Sequence, residues 1–445
     1  MHKRTFISNA TLVNDGRSFR GGLVIEDDRI EEVLAEGETP AIPAENFVDA
    51  TGAWLLPGVI DTHVHFRDPG LTHKADFESE SRAAAAGGVT SVFDMPNCVP
   101  QTVSRERLAE KLAIAAEKSH VNYAFYIGAT TDNLHELRHF DVRKAAGIKL
   151  FMGASTGNML VGDDNVLRQI FSEARVPVVA HCEDSKRIAE RMERIRSAHG
   201  DDAPVALHSE ARDAEACYRS TEKAVALARE TGARLHVAHL STRRELALFG
   251  KDERITAEVC LPHLLFTEDD YARLGARIKC NPAIKTADDR QALRDALSTA
   301  AITTIGTDHA PHLLAEKRGN LFSAASGIPM IQYALPSMLE LVDNGVLSIE
   351  RLVELMCHNP ARLFNVENRG FLREGAKADL VLVRRDRPWT LTPNRIQSRC
   401  NWSPLEGHVF RWRVDQTYCN GFLIYNRDHI TDERAHGEAL TFDRP

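Results

Sequence analysis

Through the middle of the chain, from residue 55 to 369, short apolar runs alternate with stretches of helical periodicity, the pattern of a parallel sheet with crossover helices. Eight such runs are predicted as strands, over 58–66, 89–95, 122–129, 147–152, 176–182, 234–240, 255–261 and 302–307. Helices are expected between them, among others over 209–231 and 287–300. Eight units of this kind close most simply as a (β/α)8 TIM-type barrel, although a large open α/β sheet has the same pattern. Both ends of the chain instead read as β structure. Residues 5–48 hold short alternations broken by Asn14-Asp15-Gly16 and Asp27-Asp28, and 376–425 hold Asp379-Leu380-Val381-Leu382-Val383 and Gly421-Phe422-Leu423-Ile424-Tyr425. Residues 1–54 and 370–425 therefore predict a small β-sandwich domain assembled from both chain ends, around a barrel at 55–369. The polar tail at 426–445 predicts no element.

A length of 445 residues suits such a barrel with an attached small domain. The 43% hydrophobic and 27% charged fractions are those of a globular protein, and no apolar run is long enough to cross a bilayer. The N-terminus begins with basic residues but soon reaches Asn9 and Asn14-Asp15, without the apolar core of a secretory signal, so a cytoplasmic protein is expected. Eight scattered cysteines with no CxxC spacing suggest reduced thiols. A net charge of −8 argues against a nucleic-acid partner. A small-molecule substrate is expected instead, and if it is anionic it must be held by local cations. A homodimer is the default expectation for the assembly.

Five of the eight strands end in a residue able to ligate a metal, at the end of the barrel where active sites are built. Strand 1 ends Asp61-Thr62-His63-Val64-His65, and the period of two puts both histidines on one face. Lys149 lies on strand 4, His181 ends strand 5, His239 ends strand 6, and strand 8 runs into Thr307-Asp308-His309-Ala310-Pro311-His312. Imidazole and carboxylate suit zinc and other first-row divalent ions. A single strand histidine is usually structural, but the joint convergence of His63, His65, His181, His239 and Asp308 points to a metal-dependent hydrolase. By the same parity His236, three residues before His239, is expected to face the helical layer, and His309 to oppose Asp308.

In these motifs the chain resembles the dihydroorotases of the amidohydrolase superfamily over nearly its full length. Asp61-Thr-His-Val-His-Phe-Arg67-Asp-Pro-Gly70 is similar to their opening DxHxHxRxPG. Asp94-Met-Pro-Asn97, Asn281-Pro282, the run 307–312 with Glu316-Lys317, and 375–383 are similar to further signatures. Cys98 stands where threonine is common, and Asn281-Pro-Ala-Ile-Lys285 replaces a frequent Asn-Pro-Pro-Leu-Arg. The resemblance implies two zinc ions, with His63, His65 and Asp308 on one, His181 and His239 on the other, and a carboxylated Lys149 between them. It implies reversible interconversion of N-carbamoyl-L-aspartate and L-dihydroorotate in pyrimidine synthesis, with a bridging hydroxide as nucleophile and Asp308 as proton shuttle. It further implies that Arg67, Asn97 and His312 bind the substrate carboxylate and that Asn281 contacts the ring.

Hydantoinases, dihydropyrimidinases and allantoinases would share nearly all these ligands, and Arg67 is the residue that separates them. A catalytically silent scaffold relative would usually lack the ligands that this chain retains. Directly after the Lys149 strand, segment 153–161 reads as a lid that closes on substrate, with two glycines, small polar residues and an apolar Met159-Leu160 tip. Similar loops in dihydroorotases make Ser155 or Thr156 the candidate substrate contact.

Overall fold

All eight predicted barrel strands form in the computed structural model, which describes residues 3–153 and 159–444. They are β1 (Val59–Val64), β2 (Val89–Asp94), β3 (Asn122–Phe125, resuming at Ile127–Gly128) and β4 (Ile148–Phe151). β5 (Val178–His181), β6 (Leu235–Val237), β7 (Ile255–Cys260) and β8 (Thr304–Gly306) complete the series. Each pairs in parallel with the next, β3 changing partner at its break: 122–125 pairs with β2 and 127–128 with β4. The ring shuts where Val64 bridges His309 in parallel and the His65 amide donates to the His309 carbonyl at 2.8 Å. This is a (β/α)8 barrel.

Side-chain caps start the crossover helices. Asp76 accepts from the Ser79 amide ahead of Phe77–Ala86, Ser104 from Arg107 ahead of Arg105–Lys118, and Asp213 from Ala216 ahead of Ala214–Thr231. The Asp213 cap is why the helix expected from 209 begins at 214, after a separate turn at His208–Ala211. Helix residues Ala83, Ala84, Leu108, Ala224 and Ala228 pack with strand residues Val92, Phe125, Ile148 and Val178 in one core between the two layers.

The chain ends meet in a nine-stranded mixed sheet. Its centre is Ala53–Pro57, parallel to Arg4–Asn14 on one side and antiparallel to Leu380–Arg384 on the other, with Leu55 opposite Leu382. Alternation gives the sheet two apolar faces. Leu12, Leu23, Leu55, Leu380 and Leu382 form a core of their own, whereas Val13, Leu56, Val381 and Val383 join the barrel's.

The tail, which carries no sequence signal for an element, is tied to the barrel. Ala439 bridges Tyr123 in parallel, and Phe442 bridges Val366. Arg444 donates to the carbonyls of Val142, Ala145, Ala146 and Phe364 at 2.6–3.1 Å, at the end of the barrel where β4 begins. Leu440 and Phe442 are buried with Phe93, Tyr126 and Phe364, the Phe93 and Phe442 rings meeting edge-on at 5.8 Å. Phe442→Ala is therefore expected to lower unfolding stability by about 3–5 kcal/mol, the usual result of emptying a buried phenylalanine site. Denaturant unfolding checks this, and a loss below about 1 kcal/mol would show that the tail is not part of the core.

Candidate active site

The candidate ligands converge at the C-terminal ends of the strands. His63 and His65 both face inward from β1, and their Nε2 atoms lie 3.3 and 3.1 Å from Asp308 Oδ1. The ligand atoms of these three residues all lie within 4.8 Å of one another, a grouping able to hold one ion. Beside it, His181 Nδ1 and His239 Nε2 face each other at 2.9 Å. Arg67, His239 and Asp308 adopt φ of +68°, +42° and +47°, a left-handed turn just past the strand that aims the side chain into the cavity. That backbone is costly for residues with a Cβ, and it recurs here at three site positions.

Lys149 rises from the middle of β4 into the same space. Its residue is 1% exposed, and its Nζ has no hydrogen-bond partner among the described residues. Burial lowers its pKa to about 8. A buried ammonium with only the face of the Phe151 ring beside it and no hydrogen-bond acceptor is expensive. A carbamate on Nζ would be an anion in place of that cation and could meet metal held by either group, so the donor set fits a carboxylated lysine.

The outer ring nitrogens of His63, His65 and His181 are occupied, which fixes the inner ones toward the centre. His63 Nδ1 lies 2.7 Å from Glu258 Oε1, His65 Nδ1 2.9 Å from Asn97 Oδ1, and His181 Nε2 2.9 Å from Glu183 Oε2. Glu183 is in turn ion-paired with Arg212. Burial opposes charge on Glu258, yet the adjacent His63 holds its carboxyl down to about 2. Asp61 braces the first and last strands, accepting from the Thr307 hydroxyl and from the amides of His63 and Thr307. The motif reading gave no role to Glu258 or Glu183. For Glu258 the available signal is a single charged residue within a strand, Ile255-Thr-Ala-Glu-Val-Cys260.

His236 corrects the parity argument. It pairs across from Val179, as Lys149 does, so it faces the barrel interior and not the helical layer. Its ring nitrogens sit 2.9 Å from Thr256 Oγ1 and 3.2 Å from Thr304 Oγ1. The period of two fails because β6 stops at Val237 and His239 is turned inward by its positive φ.

Over the ligands lies a cavity of about 340 Å³ lined by His63, His65, Lys149, His181, His239 and Asp308, and at its mouth by Arg67, Asn97, Asn281 and His312. Arg67 Nε donates to the Pro311 carbonyl at 3.0 Å, and its Nη2 lies 3.1 Å from His312 Nε2. The neighbouring carboxylates are engaged elsewhere, Asp68 by Lys118 and Asp76 by Arg399, and no carboxylate among the described residues lies within 4.0 Å of Arg67. Asn281 is oriented by His208, whose Nε2 lies 3.0 Å from Asn281 Oδ1. One wall is residues 325–327, pinned by the buried Lys317, whose Nζ donates to the carbonyls of Lys279, Ala325 and Gly327. Ser155 and Thr156 lie outside the described residues. Of the apolar pair expected at the tip, Met159 is fully buried beside Gly128 and Leu160 is exposed, and Val161 N donates to the Phe151 carbonyl at 3.0 Å.

Residues 54–423 match the Amidohydrolase family model, and the chain belongs to that family. Fold and site thus define an amidohydrolase, a hydrolase of cyclic amides. The chain is 37% identical to a dihydroorotase of Halobacterium salinarum over 92% of its own length and 96% of the relative's. It is 32% identical to an allantoinase of Bacillus velezensis, over 98% and 96% of the two chains. In structure it is similar to the L-hydantoinase (dihydropyrimidinase) of Arthrobacter aurescens, with a TM-score of 0.94, 29% identity and coverage of 99% and 100%. No helix among the described residues is long and apolar enough to cross a membrane.

Proposed function

We propose that this amidohydrolase is a two-zinc dihydroorotase, interconverting L-dihydroorotate and N-carbamoyl-L-aspartate in pyrimidine synthesis. The observation that carries the reading is Arg67, half-buried against the cavity with no carboxylate partner among the described residues, beside His312 and Asn97. A guanidinium held in that state is a receptor for an anion, and its planar fork suits a carboxylate. Dihydroorotate carries a carboxylate on its ring, whereas hydantoin, dihydrouracil and allantoin carry none.

His63, His65 and Asp308 would hold one ion, His181 and His239 the other, with carboxylated Lys149 shared. Bound there, the metals would supply an activated water and Lewis-acid stabilisation of the amide oxygen. The chain's own groups do the rest. Arg67, His312 and Asn97 seat the carboxylate, and Asn281 meets the ring. Asp308 takes the proton lost by the attacking water and delivers it to the ring nitrogen as the C–N bond breaks; in the reverse direction it takes the proton from the carbamoyl nitrogen as the ring closes.

Two expectations follow. Purified, zinc-loaded protein should bring L-dihydroorotate and N-carbamoyl-L-aspartate, supplied separately, to the same equilibrium mixture; opening of allantoin with no conversion of either would assign the protein to the allantoinases. After chelation, recovery of bound zinc should depend on added bicarbonate, and Lys149→Ala should bind less metal than the parent under the same conditions. Full zinc content and activity with Lys149 unmodified would contradict the carbamate bridge.

A further inference from the structure

His309 does not line the cavity, yet it is the residue on which two of the proposed metal ligands rest. It follows Asp308, whose left-handed backbone at φ +47° turns the carboxylate inward, and its carbonyl accepts from the His65 amide at 2.8 Å. Its ring is fully buried and tied on both sides. The Met330 and Ile331 amides donate to Nδ1 at 3.0 and 3.3 Å, so that nitrogen presents its lone pair. The single ring proton then sits on Nε2, which donates to Glu80 Oε2 at 2.7 Å. Glu80 is also fully buried, and its Oε1 accepts from the Arg399 amide at 3.0 Å and lies 2.9 Å from the Ser79 hydroxyl. The pair clamps the end of β8 to helix Phe77–Ala86.

We propose that Glu80 is a positioning residue that, through the His309 ring, holds Asp308 and His65 in place for the ion that they and His63 would share. A left-handed turn at a residue with a Cβ is costly and persists only where its surroundings fix it. The clamped ring supplies a fixed point immediately after that turn. Without the Glu80 acceptor, the buried Nε2–H is left unpaired and the ring loses its reason to stay. The turn at Asp308 is then free to relax, and the His309 carbonyl no longer seats the His65 amide. His181 and His239 stand on β5 and beyond β6, and among the described residues they share no hydrogen bond with the clamp. The effect therefore falls on one ion. The inference rests on the two-metal reading above and is independent of the substrate.

The test titrates the full chain, stripped of metal and held in bicarbonate, with zinc against a chromophoric chelator. Glu80→Leu should weaken one of two zinc sites about 10–100-fold, the usual cost of removing a group that orients a ligand, and leave the other within about threefold. In an Asp308→Ala chain, which already lacks the affected group, Glu80→Leu should leave the remaining zinc affinity unchanged, whereas general damage to packing would lower it again. Glu80→Gln, whose amide oxygen still accepts from Nε2–H, should bind zinc within about threefold of the parent. Equal weakening of both sites, no change at either, or Glu80→Gln as impaired as Glu80→Leu would overturn the proposal. Ring-nitrogen shifts of ¹⁵N-labelled His309, assigned by their loss in His309→Gln, should show the proton on Nε2; a proton on Nδ1 would overturn it even if Glu80→Leu does not fold. A parent chain that binds no zinc would remove the metal reading and the proposal with it, whereas a parent that binds two ions beside an unchanged Glu80→Leu chain would remove the proposal alone.

Discussion

Asp308→Asn is expected to lower kcat by ~10²–10⁴ while leaving KM and metal content close to those of the parent, the usual cost of losing a general acid–base group. Asp308 lines the cavity, and its Oδ1 stands within 3.3 Å of the inner nitrogens of His63 and His65. Burial opposes its charge, but the two histidines outweigh burial and hold its carboxyl well below the usual range, so at neutral pH it is an ionised carboxylate. An asparagine oxygen preserves the shape and the contact toward the ion. It cannot take a proton from water or deliver one to a leaving nitrogen. Steady-state kinetics with metal analysis decide this: retention of more than roughly a tenth of kcat at normal metal content would remove Asp308 from proton transfer.

Arg67→Met is expected to reduce kcat/KM for dihydroorotate by ~10³ or more, with the metals still bound. The size follows from what Arg67 is surrounded by. Its guanidinium is desolvated enough that burial lowers its pKa, and its contacts are the Pro311 carbonyl and His312, not a carboxylate. The substrate's carboxylate would therefore complete a prepared site. Methionine fills similar volume but leaves that carboxylate without its charge-assisted pair, a loss of several kcal/mol. The chain's net charge of −8 offers no long-range attraction to compensate. An Arg67→Met enzyme with unchanged kcat and KM would mean that the guanidinium only braces the Pro311 loop.

What could be read from the sequence was whatever depends on local period and residue type. The barrel strands are visible because short runs rich in valine, isoleucine and other apolar residues recur between helical stretches, and His63 and His65 because two residues on one strand share a face. What could not be read depends on departures from that period. His239 and Asp308 reach the site through left-handed backbone, so parity counted from His239 placed His236 on the wrong face. Glu258 and Glu183 act through the rings of His63 and His181, and their partners lie 195 and 2 residues away, so one was hidden by distance and the other by resembling an ordinary loop acid. The tail gives no period because its few apolar residues, Ile430, Ala435, Ala439, Leu440 and Phe442, follow neither spacing, yet Leu440 and Phe442 meet core aromatics of the barrel.

The most direct measurement of the central claim is kcat/KM for dihydroorotate, dihydrouracil, hydantoin and allantoin on one preparation of zinc-loaded enzyme. A site built around Arg67, Asn97 and His312 should favour dihydroorotate over each ring without a carboxylate by on the order of 10³ or more, because those rings leave the Arg67 guanidinium without an anion. Comparable values for dihydroorotate and dihydrouracil, or a higher value for allantoin or hydantoin, would contradict it.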